Sequence, residues 1–202
     1  MVGLGLIVLV LTGCSTTRAE PTATPIPPTS TPEPPKRALL LIQENFNADE
    51  YGEPRALLEE NGVIVSVAAS SMDVVTAYAQ EAEAQPDMLL SQVQVADYDV
   101  IVLVGGYPYD PEDSEMQRIA REAVAEGKLV AGICNGVITM GQAGVLEGKR
   151  VTSLFYHPVS EFEGTGAILV AADVERDGLI ISGNGPGASQ EFAEAIVQAL
   201  GE

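Results

Sequence analysis

Leu129-Val130-Ala131-Gly132-Ile133-Cys134-Asn135-Gly136 is the stretch on which the fold turns. Its apolar run is too short for a helix and apolar on both faces, so it reads as a central strand of a parallel sheet. Gly132-Ile133-Cys134-Asn135-Gly136 then has the spacing of a nucleophile elbow, in which small residues let a strand bend sharply into a helix. That bend would present Cys134 at the carboxyl end of the sheet. A helix beginning there aims N–H groups at the sulfur and predicts a lowered thiol pKa, hence a thiolate able to attack a carbonyl or a peroxide. The strand end alone is equally compatible with a buried structural cysteine, since free cysteine is among the most buried residue types.

The flanking sequence repeats the strand-then-helix rhythm. Ala38-Leu39-Leu40-Leu41-Ile42 predicts a buried strand, and a helical pattern follows through Pro54 to Glu60, closed by Asn61-Gly62. Strands are predicted over 63–67 and 98–104, the latter ended by Gly105-Gly106. A helix over 111–126 leads into the elbow strand. Beyond the elbow come a helix to about Ala143, a strand near Val151, a hairpin-like pair at 167–174 and 179–182, and a last helix over 188–200. Residues 69–96 give no clear pattern. This alternation predicts an α/β domain: a doubly wound, mostly parallel sheet with helices on both faces.

Charge and cysteine usage narrow the partners. Twenty-nine acidic against 10 basic residues give a net charge of -19, which repels nucleic acid. Only Cys14 and Cys134 occur, so there is no disulfide framework, and no zinc-binding spacing is present. No metal or cofactor is expected. Residues 2–11 form an apolar run far shorter than the ~20 residues of a membrane-spanning helix. The run ends in Leu11-Thr12-Gly13-Cys14, which resembles the bacterial lipobox, although no Lys or Arg precedes it. The resemblance implies a signal peptide over 1–14, lipidation at Cys14, and a chain anchored by lipid to the cell membrane on its extracytoplasmic side. Residues 15–36, rich in Pro, Thr and Ser, read as a tether able to reach roughly 70 Å at ~3.1 Å per residue. The globular domain then occupies 37–202.

Four motifs in order carry a more specific likeness. Glu50 lies four residues before Pro54; Val104-Gly105-Gly106 follows the third strand; Ala131-Gly132-Ile133-Cys134-Asn135-Gly136 forms the elbow; and Gly185-Pro186-Gly187-Ala188-Ser189 precedes the last helix. Together they resemble the DJ-1/PfpI (ThiJ/PfpI) superfamily, whose fold is flavodoxin-like and related to the class I glutamine amidotransferases. The resemblance implies that Glu50, rather than Glu44, Asp49 or Glu53, hydrogen-bonds the sulfur of Cys134. It also implies an oxyanion hole formed by the N–H groups of Gly106 and Asn135, and a homodimer. Peptidase-like members carry histidine after the nucleophile; Asn135 cannot act as a base, so a PfpI-type cysteine peptidase is disfavoured. His157, the sole histidine, is a candidate catalytic or thiol-facing residue. Asn184 stands where many deglycase-like members have arginine ahead of the Gly-Pro turn. The absence of histidine between Ser182 and Glu191 argues against a glutaminase.

Two classes of function follow. One is a cysteine-dependent hydrolase or lyase of the glyoxalase or deglycase type, acting on a small carbonyl compound outside the cytoplasm. The other is a non-enzymatic lipoprotein in which Cys134 senses oxidants or the elbow binds a ligand.

Overall fold

The computed structural model describes residues 34–78, 81–153 and 159–202, together with residues 2, 3 and 13. The chain divides after residue 33 into a leading unit and a globular unit, 34–202. The lipidation candidate Cys14, the predicted tether up to residue 33, and His157 all lie outside the described residues.

In chain order the globular unit contains β1 (Arg37–Leu41), α1 (Ala48–Glu60), β2 (Ile64–Ala69), the short strands β3 (Val75–Thr76), β4 (Glu83–Ala84) and β5 (Met88–Leu89), and β6 (Val100–Leu103). Then follow α2 (Ser114–Ala125), β7 (Leu129–Ile133), α3 (Asn135–Gln142), β8 (Arg150–Val151), β9 (Ile168–Leu169), β10 (Val174–Asp177), β11 (Ile180–Gly183) and α4 (Ser189–Leu200). Seven strands form the main sheet in the order β10-β11-β7-β6-β1-β2-β5, parallel throughout except for β10 at one edge.

Side chains alternate across this sheet with a period of two, and both faces are apolar. Along β1, Ala38, Leu40 and Ile42 join a core with Phe192 and Ile196 of α4, and α1 packs beside α4 on that side. Leu39 and Leu41 point the other way, into a core with Met116 and Ile119 of α2 and Val137 of α3. Each fully buried Leu or Ile contributes about 1.5–3 kcal/mol relative to exposure. Burial on both faces explains why the strand sequences are unbroken apolar runs.

The structure departs from the sequence expectation in local details. α2 begins at Ser114 rather than Pro111, because Asp113 caps it by accepting from the N–H groups of Glu115 and Met116 at 2.9 and 3.0 Å. The hairpin is β10 with β11, joined through Gly178 at φ 65°. Ile168 and Leu169 pair instead with Arg150 and Val151 in a separate two-stranded sheet. Residues 69–96 hold elements of only two or three residues besides the end of β2.

The five central strands β2-β1-β6-β7-β11 stand in the doubly wound order 2-1-3-4-5. The strand order reverses between β1 and β6, and ligands in such sheets bind in the crevice at the carboxyl ends of the strands there. The segments leaving β1, β6 and β7 at that end carry Glu50, Gly105-Gly106 and Cys134.

Candidate active site

Cys134 joins β7 to α3 with no intervening residue, at φ 56° and ψ -123°. A positive φ in a residue with a side chain costs of order 1–3 kcal/mol and persists only where surrounding contacts enforce it. Here its N–H donates to the Gly183 carbonyl at 3.0 Å, and its carbonyl accepts from Val137 N–H at 3.2 Å. The glycines of the motif are steric requirements: a Cβ on Gly136 would strike the Leu103 carbonyl, and one on Gly132 would strike the Met140 sulfur.

Glu50 reaches the same place from α1. Asn47 caps that helix, its side-chain oxygen accepting from Asp49 and Glu50 N–H at 3.0 and 3.2 Å. Glu50 is therefore in the first turn, and it is fully buried, whereas Glu44, Asp49 and Glu53 are exposed. Both carboxyl oxygens lack a partner of ordinary hydrogen-bond geometry. Burial pushes the Glu50 pKa from 4.5 up to about 7, against the opposing pull of the Cys134 thiol and the Gly105 N–H. Gly105 separates the acid from the thiol: a Cβ there would lie 2.5 Å from Glu50 Oε2 and 2.8 Å from Cys134 Cβ.

The thiol differs from its sequence expectation. Burial raises the Cys134 pKa, and the negative charge of Glu50 raises it further; the Asn135 N–H at the start of α3 acts in the predicted direction but is outweighed. The helix terminus is thus present, but burial of the sulfur, reinforced by the carboxylate beside it, decides the sign. Near neutral pH Glu50 is therefore close to half ionised beside a protonated thiol, an arrangement in which the carboxylate can accept the thiol proton.

Gly106 faces Phe46 across an antiparallel bridge whose two bonds are made by its neighbours: Asn47 N–H to Gly105 O at 2.9 Å, and Tyr107 N–H to Asn45 O at 3.0 Å. The N–H and carbonyl of Gly106 consequently turn the other way. The carbonyl accepts from Asn135 Nδ2 at 2.5 Å. Gly106, Cys134, Asn135 and the buried Glu50 all line one cavity of about 570 Å³.

The sequence reading missed the walls of this cavity. Tyr107, Pro108 and Tyr109 line it from the loop after β6, with Tyr78, Ile138 and Glu161 from three other segments. The Tyr109 hydroxyl is 3.1 Å from Thr139 Oγ1, and burial raises its pKa. The signal available was Tyr107-Pro108-Tyr109 directly after the Gly105-Gly106 pair. Among the described residues, no group of three or more His, Cys, Asp or Glu side chains converges as a metal site would.

The DJ-1/PfpI family profile matches residues 36–199. The chain belongs to the DJ-1/PfpI family. It is 29% identical over 150 residues to protein DJ-1 homolog A of Arabidopsis thaliana, an alignment covering 71% of this chain and 38% of that protein. It is 36% identical over 105 residues to isonitrile hydratase of Pseudomonas putida, covering 50% of this chain and 45% of that one. The chain thus spans less than half the length of either relative. Among solved structures it resembles the ThiJ/PfpI domain protein of Brachyspira murdochii with a TM-score of 0.79 and 29% identity, covering 83% of this chain and 97% of that one. The α/β fold with its mostly parallel sheet is the fold of the family.

Proposed function

We propose that this DJ-1/PfpI domain is a cysteine-dependent hydrolase or lyase acting on small reactive carbonyl compounds. The observation that carries the reading is the Glu50 carboxyl group buried against Cys134 with its pKa raised to about 7. An acid–base group titrating near neutrality is the partner a protonated thiol needs in order to add to a carbonyl carbon. The sulfur–carbon bond forms as the thiol proton passes to Glu50, and the carbonyl oxygen takes up negative charge between the Gly106 and Asn135 N–H groups. Glu50 then returns the proton to that oxygen. With an α-oxoaldehyde, Glu50 removes the former aldehyde hydrogen as a proton, and protonation of the neighbouring carbon yields a thioester. Water hydrolyses the thioester to a 2-hydroxy acid and restores the thiol.

The raised thiol pKa bears equally on the oxidant-sensing alternative, because the thiolate that adds to a carbonyl is also the form oxidants attack. A second reading rests on the similarity to isonitrile hydratase: the same pair would add to the electrophilic carbon of an isonitrile before water replaces the sulfur. The lipobox-like Leu11-Thr12-Gly13-Cys14 supports an extracytoplasmic setting with a lipid on Cys14. Labelling with an alkynyl fatty acid should mark the chain and not Cys14→Ala. Family membership supports a homodimer.

Methylglyoxal consumption by the full chain tests the enzymatic reading. Cys134→Ser and Glu50→Gln should each lower the rate by at least about 100-fold. Equal rates in all three proteins would sink it.

A further inference from the structure

We infer that the Cys134 pocket selects uncharged electrophiles bearing a flat apolar group and rejects those bearing a carboxylate. The inference rests on the reading that Cys134 is the reacting atom, and it names the substrate class that this atom meets.

The first ground is where the positive charge of the domain goes. None of the described Lys or Arg residues lines the cavity. Arg55, Arg118, Arg150 and Arg176 each bond a glutamate, and Lys149 bonds Asp177. Lys36 and Arg37 lie at the start of β1, and Lys128 just ahead of β7, at the end of the sheet opposite Cys134. Asn184, ahead of the Gly185-Pro186 turn, spends its side-chain amide on Asp173 at 2.8 Å. The charged side chains on the described lining are Glu50 and Glu161, both carboxylates, in a chain of net charge -19. A cleft lined by one sign of charge concentrates its own field and repels ligands of that sign.

The second ground is independent of charge. Tyr78 and Tyr107 meet edge to face at the cavity, with ring centroids 5.6 Å apart at 75°, yet they are 45% and 65% exposed. Core packing does not account for two exposed rings held together in this way. The backbone holds them: Tyr78 N–H donates to Phe46 O at 2.8 Å, and Tyr107 N–H donates to Asn45 O at 3.0 Å, so one short loop fixes both. With Ile138 and Pro186 they give the cavity aromatic and aliphatic walls suited to a flat apolar body.

The test uses two pairs of thiol reagents on the full chain, read by mass analysis of the peptide carrying Cys134. Iodoacetamide and iodoacetate differ chiefly in charge. Their rate ratio at Cys134, divided by the same ratio for 2-mercaptoethanol, should exceed about 10, equivalent to about 1.4 kcal/mol. Glu161→Gln should lower it several-fold. N-phenylmaleimide should outpace N-ethylmaleimide by more than it does on 2-mercaptoethanol, and Tyr107→Ala should remove that excess. A normalised charge ratio near or below 1, or no alkylation of Cys134 by any reagent, overturns the inference. Selectivity in alkylation without turnover of either methylglyoxal or phenylglyoxal would sustain the ligand class and remove the enzymatic reading; turnover without selectivity would do the reverse.

Discussion

The β1–α1 and β7–α3 junctions each deliver one half of the thiol–acid pair, and they are built in opposite ways. At β1–α1 the chain takes six residues, 42–47, to enter the helix, and Asn47 caps it in an extended conformation with two side-chain hydrogen bonds. At β7–α3 the helix begins without a spacer, and its N-cap is Cys134 itself, at positive φ and with no side-chain cap. Glu50 is held by ordinary helix-start chemistry and bears its cost electrostatically, as a buried carboxyl. Cys134 bears its cost in the backbone. The site thus combines two unrelated kinds of instability, conformational and electrostatic, and different substitutions should separate them.

The largest effect is expected where the elbow is sterically closed. Gly136→Ala drives a Cβ into the backbone carbonyl of Leu103, which cannot move without disturbing β6 in the centre of the sheet. A loss of about 3 kcal/mol or more in urea unfolding should follow. A loss below about 1 kcal/mol would mean that the elbow can relax and that the contrast between the junctions is overstated.

Glu50 isolates the electrostatic half. Its folded pKa of about 7 lies above the ordinary 4.5, so between those values the folded state keeps a proton that the unfolded state releases. Stability from this group is full below pH 4.5 and is lost as pH rises through 7, amounting to about 3 kcal/mol. Unfolding free energies of the wild type should therefore fall relative to those of Glu50→Gln between pH 4.5 and 8. Parallel curves would show that the carboxyl titrates as an exposed one does. The same ionisation should appear in the chemistry: alkylation of Cys134 should rise through about pH 7 in the wild type, and that step should be absent from Glu50→Gln, whose thiol titrates without the carboxylate's charge.

How much of this was legible beforehand depends on the length scale of the signal. Long apolar runs such as Ala38-Leu39-Leu40-Leu41-Ile42 declared the central strands because burial on both faces leaves no polar position to misread. Gly132, Cys134 and Gly136 declared the elbow because its sterics force a fixed spacing. The short strands within 69–96 were not legible, since two residues carry no period. Nor was the sign of the Cys134 pKa shift, which follows from burial of the sulfur and from a carboxylate that folding brings beside it from 84 positions earlier in the chain. Tyr78, Tyr107 and Glu161 come from separate segments, and their meeting in one cavity is a property of the fold alone.

The smallest effects test whether the β1–α1 junction is as ordinary as its geometry implies. Asn47→Ala removes two capping hydrogen bonds and should cost about 1 kcal/mol in urea unfolding, as helix caps commonly do. Gly52→Ala, inside the same helix, repeats the elbow substitution in open surroundings: a Cβ there meets nothing within 4 Å. The added methyl group should therefore act only through helix propensity and raise stability by up to about 1 kcal/mol. Opposite signs for Gly52→Ala and Gly136→Ala would place the difference between the junctions in the backbone rather than in glycine content. A loss for Gly52→Ala would mean that α1, which carries Glu50, is also held under constraint, and the division between a strained nucleophile and a relaxed acid would fail.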